Sequence, residues 1–113
     1  FKLMVDANHA YNLKDALYVG KGLDELDIYW FEEPVAPEDY NVYRELKKKI
    51  STSVAGGEAE FTKYGWNKLI TNECIDIAQP EVCGLGGITE YLKVLAIAQL
   101  TLFQWSIMFG DLL

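Results

Sequence analysis

The sequence predicts an α/β chain, a partial TIM-like (β/α) barrel of about four βα units with parallel strands and covering helices. Three observations predict it. Short apolar runs alternate with longer segments whose apolar residues recur at helical spacing. The runs begin near residues 2, 28, 52 and 75, a repeat close to 25 residues. An acidic residue stands at or just past the end of each run. A complete barrel takes about 250 residues, so four units are half of one. A doubly wound sheet is the alternative arrangement of the same units.

The elements follow in order. "KLMVDA" (2–7) is the first strand. Residues 12–26 carry Leu13, Ala16, Leu17, Gly20, Leu23 and Leu26 on one helical face, with Asn12 as N-cap. "IYWFEE" (28–33) is an aromatic-rich strand. Residues 37–50 form a helix with Pro37 near its start and Tyr43, Leu46 and Ile50 on one side. "TSVAGGE" (52–58) is a strand ending in two glycines and an acid. Residues 61–72 are helical through Phe61, Trp66, Leu69 and Ile70. "IDIAQP" (75–80) is the fourth strand, "CGLGG" (83–87) a loop and 88–100 an apolar-striped helix. Nearly continuous apolar strands imply a parallel sheet covered by helices.

Composition excludes several functions. The net charge is −7, from 10 basic and 17 acidic residues, which disfavours nucleic acid and anionic membranes as partners. "KKK" (47–49) falls in a helix and reads as solvated surface. No apolar run reaches the roughly 18 residues of a membrane span. Cys74 and Cys83 lack zinc-type spacing and are too few for a disulfide scaffold, so they read as buried free thiols in a reducing cytoplasm.

The acids carry the chemistry. Asp6, Glu32 and Glu58 end the first three strands, and Glu81 follows the fourth just past Pro80. The intervals are 26, 26 and 23 residues. In a barrel the carboxyl ends of the strands converge on one face. Carboxylates brought together there repel unless a cation sits between them. An all-oxygen donor set suits Mg²⁺. Adjacent strand residues point to opposite sides, so Glu32 and Glu33 cannot both face one ion. By phase with Asp6 and Glu58, Glu32 is the ligand, and Glu33 stands behind it or faces the helices.

"VDAN" (5–8), "WFEEP" (30–34), "AGGE" (55–58) and "IAQPEVCGLGGITE" (77–90) together resemble the enolase superfamily in its mandelate racemase-like subgroup. In wording they are closest to acid-sugar dehydratases and sugar-lactone cycloisomerases. The resemblance runs from Lys2 to Leu100. It implies a C-terminal barrel domain, with the N-terminal capping domain absent. It implies Mg²⁺ held by Asp6, Glu32 and Glu58, with Asn8 near metal and substrate. It implies a small carboxylate substrate, an acid sugar or hydroxy acid, whose alpha proton is removed by a Lys or His base through an ene-diolate. His9, the only histidine, lies in the loop past Asn8 and is a candidate substrate contact.

Two departures accompany the resemblance. The family's Lys-x-Lys motif lies on a strand before the first one here. Its opposite base is a histidine on the strand after Gln99, held by an Asp whose position is Glu81 in this chain. Glu81 is therefore the candidate orienter of a missing histidine. Residues 101–113 read as an out-of-frame tail. "FQWSIMFGDL" (103–112), back-translated and read two bases later, can spell Pro-Val-Val-His-His-Val-Trp-Gly-Ser. The in-frame alternative is a divergent apolar strand or helix.

Two functions are thus expected: a piece of a Mg²⁺-dependent lyase or isomerase, or an inactive metal-binding half-barrel that closes as a homo-oligomer. An anion nest at "GLGG" (84–87) is a weaker third reading.

Overall fold

The computed structural model describes residues 1–101 and the backbone of Gln104 and Trp105. Five parallel strands and four helices alternate among the described residues. They are β1 (Met4–Asp6), α1 (Leu13–Glu25), β2 (Trp30–Glu32), α2 (Tyr40–Lys47), β3 (Ser53–Gly56), α3 (Thr62–Thr71), β4 (Ile77–Ala78), α4 (Ile88–Thr101) and β5 (Gln104–Trp105).

The strands lie side by side in chain order, β1-β2-β3-β4-β5. A doubly wound sheet reverses its order at a switch point. This sheet never reverses, so it is an arc of a barrel, with β1 and β5 as its described edges. The register pairs Met4 with Trp30, Val5 with Phe31 and Asp6 with Glu32. It then pairs Phe31 with Val54 and Gly56 with Ala78.

The strands and the first three helices are shorter than the sequence suggests, and α4 runs one residue longer. Ladder pairing stops where each chain turns toward its helix. The fifth strand falls inside the stretch read as an out-of-frame tail. There Ile77 pairs with Gln104 and Ala78 with Trp105. The rest of that tail, residues 102–103 and 106–113, lies outside the described residues.

The core lies between the sheet and its helices. Val54 and Ala78 of the sheet meet Leu46, Trp66, Leu69 and Val94 of the helices. Phe31, Leu23 and Ile28 form a smaller cluster beneath α1. Helix α1 starts as its sequence says, with the Asn12 carboxamide oxygen accepting from the Asp15 N–H at 3.0 Å. Gly20 lets α1 lie close on the next unit, because a Cβ there would stand 2.8 Å from Cγ2 of Ile50.

The amino ends of the strands are tied by acids that find donors. The Asp24 carboxylate accepts from the N–H of Ser51 (3.0 Å) and from the N–H and hydroxyl of Thr52 (both 2.7 Å). Burial pushes the Asp24 carboxyl up. The Thr52 hydroxyl and the two backbone donors outweigh that effect and hold it below its usual 3.8. Asp76 accepts from the N–H of Val54 at 2.8 Å. Lys47 donates to Asp76 Oδ1 at 2.9 Å and to the Ile75 carbonyl at 3.0 Å.

Two readings of the sequence change here. Lys47 is a half-buried tie between units rather than solvated surface, because its long stem reaches the next strand; Lys48 and Lys49 do face solvent. Both cysteines are free, but only Cys74 is buried and Cys83 is exposed on its loop. No described helix is long and apolar enough to cross a membrane.

Candidate metal centre at the carboxyl ends of the strands

Asp6 and Glu32 close adjacent parallel strands as direct register partners. Strand neighbours sit about 4.8 Å apart, so their side chains leave the sheet together. Glu58 comes from the third unit by another route. Strand β3 ends at Gly56, not at Glu58, and Gly57 turns the chain with φ +119°. The Trp66 ring fills the space where a Cβ on Gly57 would stand. Glu58 then occupies a turn closed by the Glu60 N–H donating to the Gly57 carbonyl at 3.0 Å. It is exposed to solvent.

Glu33 is not a strand residue, as the pattern had suggested. It takes a left-handed backbone, φ 40°, directly after β2. That bend turns its side chain inward, leaving it 2% exposed with Cγ against Gly56. The expectation that it stands behind Glu32 agrees with this placement, although the bend and not strand alternation produces it. Burial pushes the Glu33 carboxyl up to about 7. His9 opposes the rise, and the charges of Glu58, Asp6 and Glu32 add to it. Four carboxylates and one imidazole therefore share this end of the sheet.

The donor set is all-oxygen and carries the concentrated negative charge that a hard dication offsets, so these residues fit Mg²⁺. Two of these carboxylates also have a local donor. Glu32 Oε2 accepts from the Trp30 indole N–H at 3.0 Å, and Asp6 Oδ1 accepts from the Asn8 N–H at 2.8 Å. In these rotamers no three described His, Cys, Asp or Glu side chains form a group that could hold an ion.

The remaining candidates fall nearby. Asn8 and His9 lie in the loop after β1, both with left-handed backbones, φ 44° and 62°. The Asn8 side chain faces solvent, whereas the His9 ring is committed inward. Its Nε2 lies 2.9 Å from Glu33 Oε2, and its Nδ1 lies 3.1 Å from the Val35 carbonyl. The sequence did not reveal this pairing, since the two residues are 24 positions apart; the only local signal is Asn8, a residue type that tolerates a left-handed backbone.

Glu81 turns back on its own loop and accepts from the N–H groups of Cys83 and Gly84. Those bonds, Cys83 first, hold its carboxyl below the usual range. The same loop packs on the Glu58 turn, where the Glu58 carbonyl would lie 3.7 Å from a Cβ on Gly84. The anion nest at 84–87 does not form. Gly84 donates to Glu81 Oε2, Leu85 to the Glu81 carbonyl, Gly86 to Cys83 and Gly87 to Val82, which leaves none of these N–H groups for an anion.

The comparisons with known proteins agree with this fold. A family model described as enolase C-terminal domain-like matches residues 1–110. The chain is 38% identical over 99 residues to D-galactarolactone cycloisomerase of Agrobacterium fabrum, covering 88% of this chain and 26% of that protein. It resembles the crystal structure of the 3,6-anhydro-D-galactonate cycloisomerase from Zobellia galactanivorans with a TM-score of 0.93 and 41% identity, over 97% of this chain and 31% of the other. It also resembles L-talarate dehydratase from Polaromonas sp. JS666, solved with Mg and L-glucarate. There the TM-score is 0.92 and the identity 27%, over 96% of this chain and 30% of the other. The chain spans about a quarter of the length of the curated relatives it matches.

Proposed function

This chain belongs to the enolase C-terminal domain-like family, and from that premise we propose that it forms part of a Mg²⁺-dependent lyase or isomerase. Its substrate is an acid sugar or hydroxy acid, and its reaction removes the proton alpha to the carboxylate, with dehydration ahead of cycloisomerisation or racemisation. One observation carries the reading: three consecutive βα units each bring one carboxylate to the same end of the sheet, with Asp6 and Glu32 in direct register. The names of the relatives support the substrate class.

Asp6, Glu32 and Glu58 hold the ion. When bound, it supplies positive charge against the substrate carboxylate as negative charge develops there. Asn8 offers a free amide beside the ligands to position substrate. Glu33 stays behind Glu32 and keeps water from that side. Glu81 fixes the loop that abuts the Glu58 turn, at the position from which the family's acid would orient a histidine that this chain lacks. The free cysteines suit a cytoplasmic setting.

A second reading, that the 113-residue chain alone is inactive, is favoured by His9. Both of its ring nitrogens are engaged, so the only histidine is no free base. The open sheet edge at β1 exposes Leu3 and Met4, which suits closure by a second copy. The experiment is alpha-proton exchange into an acid sugar, followed by NMR with Mg²⁺. The isolated chain is expected to show none. Exchange that vanishes in Glu32→Gln would overturn the inactive reading and uphold the site. The out-of-frame reading of residues 101–113 is tested by the coding DNA. If codons 103–112 cannot yield Pro-Val-Val-His-His-Val-Trp-Gly-Ser in another frame, it is wrong.

A further inference from the structure

We infer that His9 is a positioning residue that locks the loop after β1 onto the loop after β2, and so sets the spacing of Asp6 and Glu32. The inference rests on the Mg²⁺ reading above. The imidazole bridges two points of one loop, Glu33 Oε2 at 2.9 Å and the Val35 carbonyl at 3.1 Å. A carbonyl only accepts, so Nδ1 carries the hydrogen and donates it, and the ring's orientation is fixed. The Tyr43 hydroxyl donates to the same Val35 carbonyl at 3.2 Å and holds it from the α2 side.

The backbone around the ring is laced across the same gap. Ala7 N–H donates to the Glu32 carbonyl at 2.9 Å, His9 N–H to Glu33 at 2.7 Å and Tyr11 N–H to Pro34 at 3.1 Å. The ring is thus a side-chain tie in the middle of a backbone seam. Asn8, His9 and Glu33 all hold left-handed backbones, at φ 44°, 62° and 40°. Non-glycine residues stay there only when their surroundings over-determine them. The seam begins one residue after Asp6 and runs beside Glu32. A ligand carboxylate on a loop free to shift binds its ion less well, and groups that hold ligands from behind are worth roughly 10–100-fold in affinity.

The test compares His9→Ala and His9→Asn in the 113-residue chain, with Glu32→Gln as the control for the metal. Mg²⁺ binding is read by calorimetry, folding by circular dichroism, and the seam by amide hydrogen exchange. Both His9 variants are expected to stay folded and to bind Mg²⁺ roughly 10–100-fold more weakly. The amides of Ala7 and Tyr11 should exchange faster, while those of Ser51 and Thr52, at the far end of the sheet, stay unchanged. Asparagine tolerates the left-handed backbone but cannot span both partners. Wild-type affinity in His9→Asn would therefore assign the effect to the backbone and overturn the tie.

Because His9 is the only histidine, its ring nitrogens give one unambiguous pair of NMR signals. A hydrogen on Nδ1 is expected, with the Nε2–Glu33 bond carried by a second hydrogen on Nε2 or on the Glu33 carboxyl. Wild-type Mg²⁺ affinity in both His9 variants, with binding lost in Glu32→Gln, would sink the tie and leave the metal reading standing. A wild-type chain that binds no Mg²⁺ would sink the metal reading instead. The tie is then overturned by an Nδ1 that carries no hydrogen or by unchanged exchange at Ala7 and Tyr11, and upheld as a lock between the loops by the opposite results.

Discussion

At the amino ends of the strands, Asp24 and Asp76 meet backbone N–H groups, a hydroxyl and an ammonium, and Asp24 is held below its ordinary range. At the carboxyl ends, burial pushes Glu33 up to about 7; His9 opposes the rise, and the charges of Glu58, Asp6 and Glu32 add to it. The same side-chain chemistry sits at both ends of one sheet. At one end each charge is matched to a donor, and the end contributes stability. At the other, like charges are gathered, as the proposed Mg²⁺ site requires. Barrels divide these duties between their two faces in the same way.

The largest perturbation removes the floor of the carboxyl end. Trp66→Ala should cost about 3–5 kcal/mol in urea unfolding, as for other buried aromatics cut to alanine. It should also loosen the Glu58 turn that packs on the ring through Gly57. If stability fell while Mg²⁺ affinity held, the turn would not depend on that floor.

Asp24→Ala should cost about 1–3 kcal/mol, since several charge-assisted bonds go at once from a partly exposed site. Mg²⁺ binding should be unchanged. The pH dependence has a definite sign. The folded Asp24 carboxyl binds its proton less readily than the unfolded one, so its stabilisation is fully present above the ordinary 3.8. It is lost as pH falls below that value through the folded one. The unfolding midpoints of the wild type and Asp24→Asn should therefore differ at neutral pH and converge in acid. A gap that widened in acid would contradict the assignment.

Lys47→Met should cost about 1 kcal/mol, for one half-exposed ion pair and one carbonyl bond. The smallest effect has the opposite sign. Asp6→Asn, measured in chelator, should raise stability by about 0.5 kcal/mol by removing one of the gathered charges, and should abolish Mg²⁺ binding. A loss of stability there would erase the contrast between the two ends.

The acids at the carboxyl ends were legible because a strand-to-strand interval near 25 residues is a one-dimensional signal. The Asn12 cap and the buried faces of Trp66, Leu69 and Tyr43 were legible for the same reason, since local spacing decides them. What stayed hidden depends on which loops meet. His9 and Glu33 are brought together by two adjacent turns. Lys47 reaches Asp76 across a whole strand and helix. The Glu81 carboxylate spends itself on the N–H groups two and three residues ahead, where the family resemblance pointed it at a histidine on the next strand. Glu33 was placed behind Glu32 for an alternating strand, and it arrives there through a left-handed bend.

The unbroken strand order also bears on how the chain assembles. Each strand pairs with the one completed a single βα unit earlier, and no described strand has to wedge between two already joined. Loop closure is then repeated over similar short spans rather than over the whole length at once, which keeps its entropic cost per step nearly constant. A ribosome releasing the chain from its amino terminus would deliver the units in the order in which they dock. The Asp6 and Glu32 corners would be seated before the Glu58 turn has left the exit tunnel.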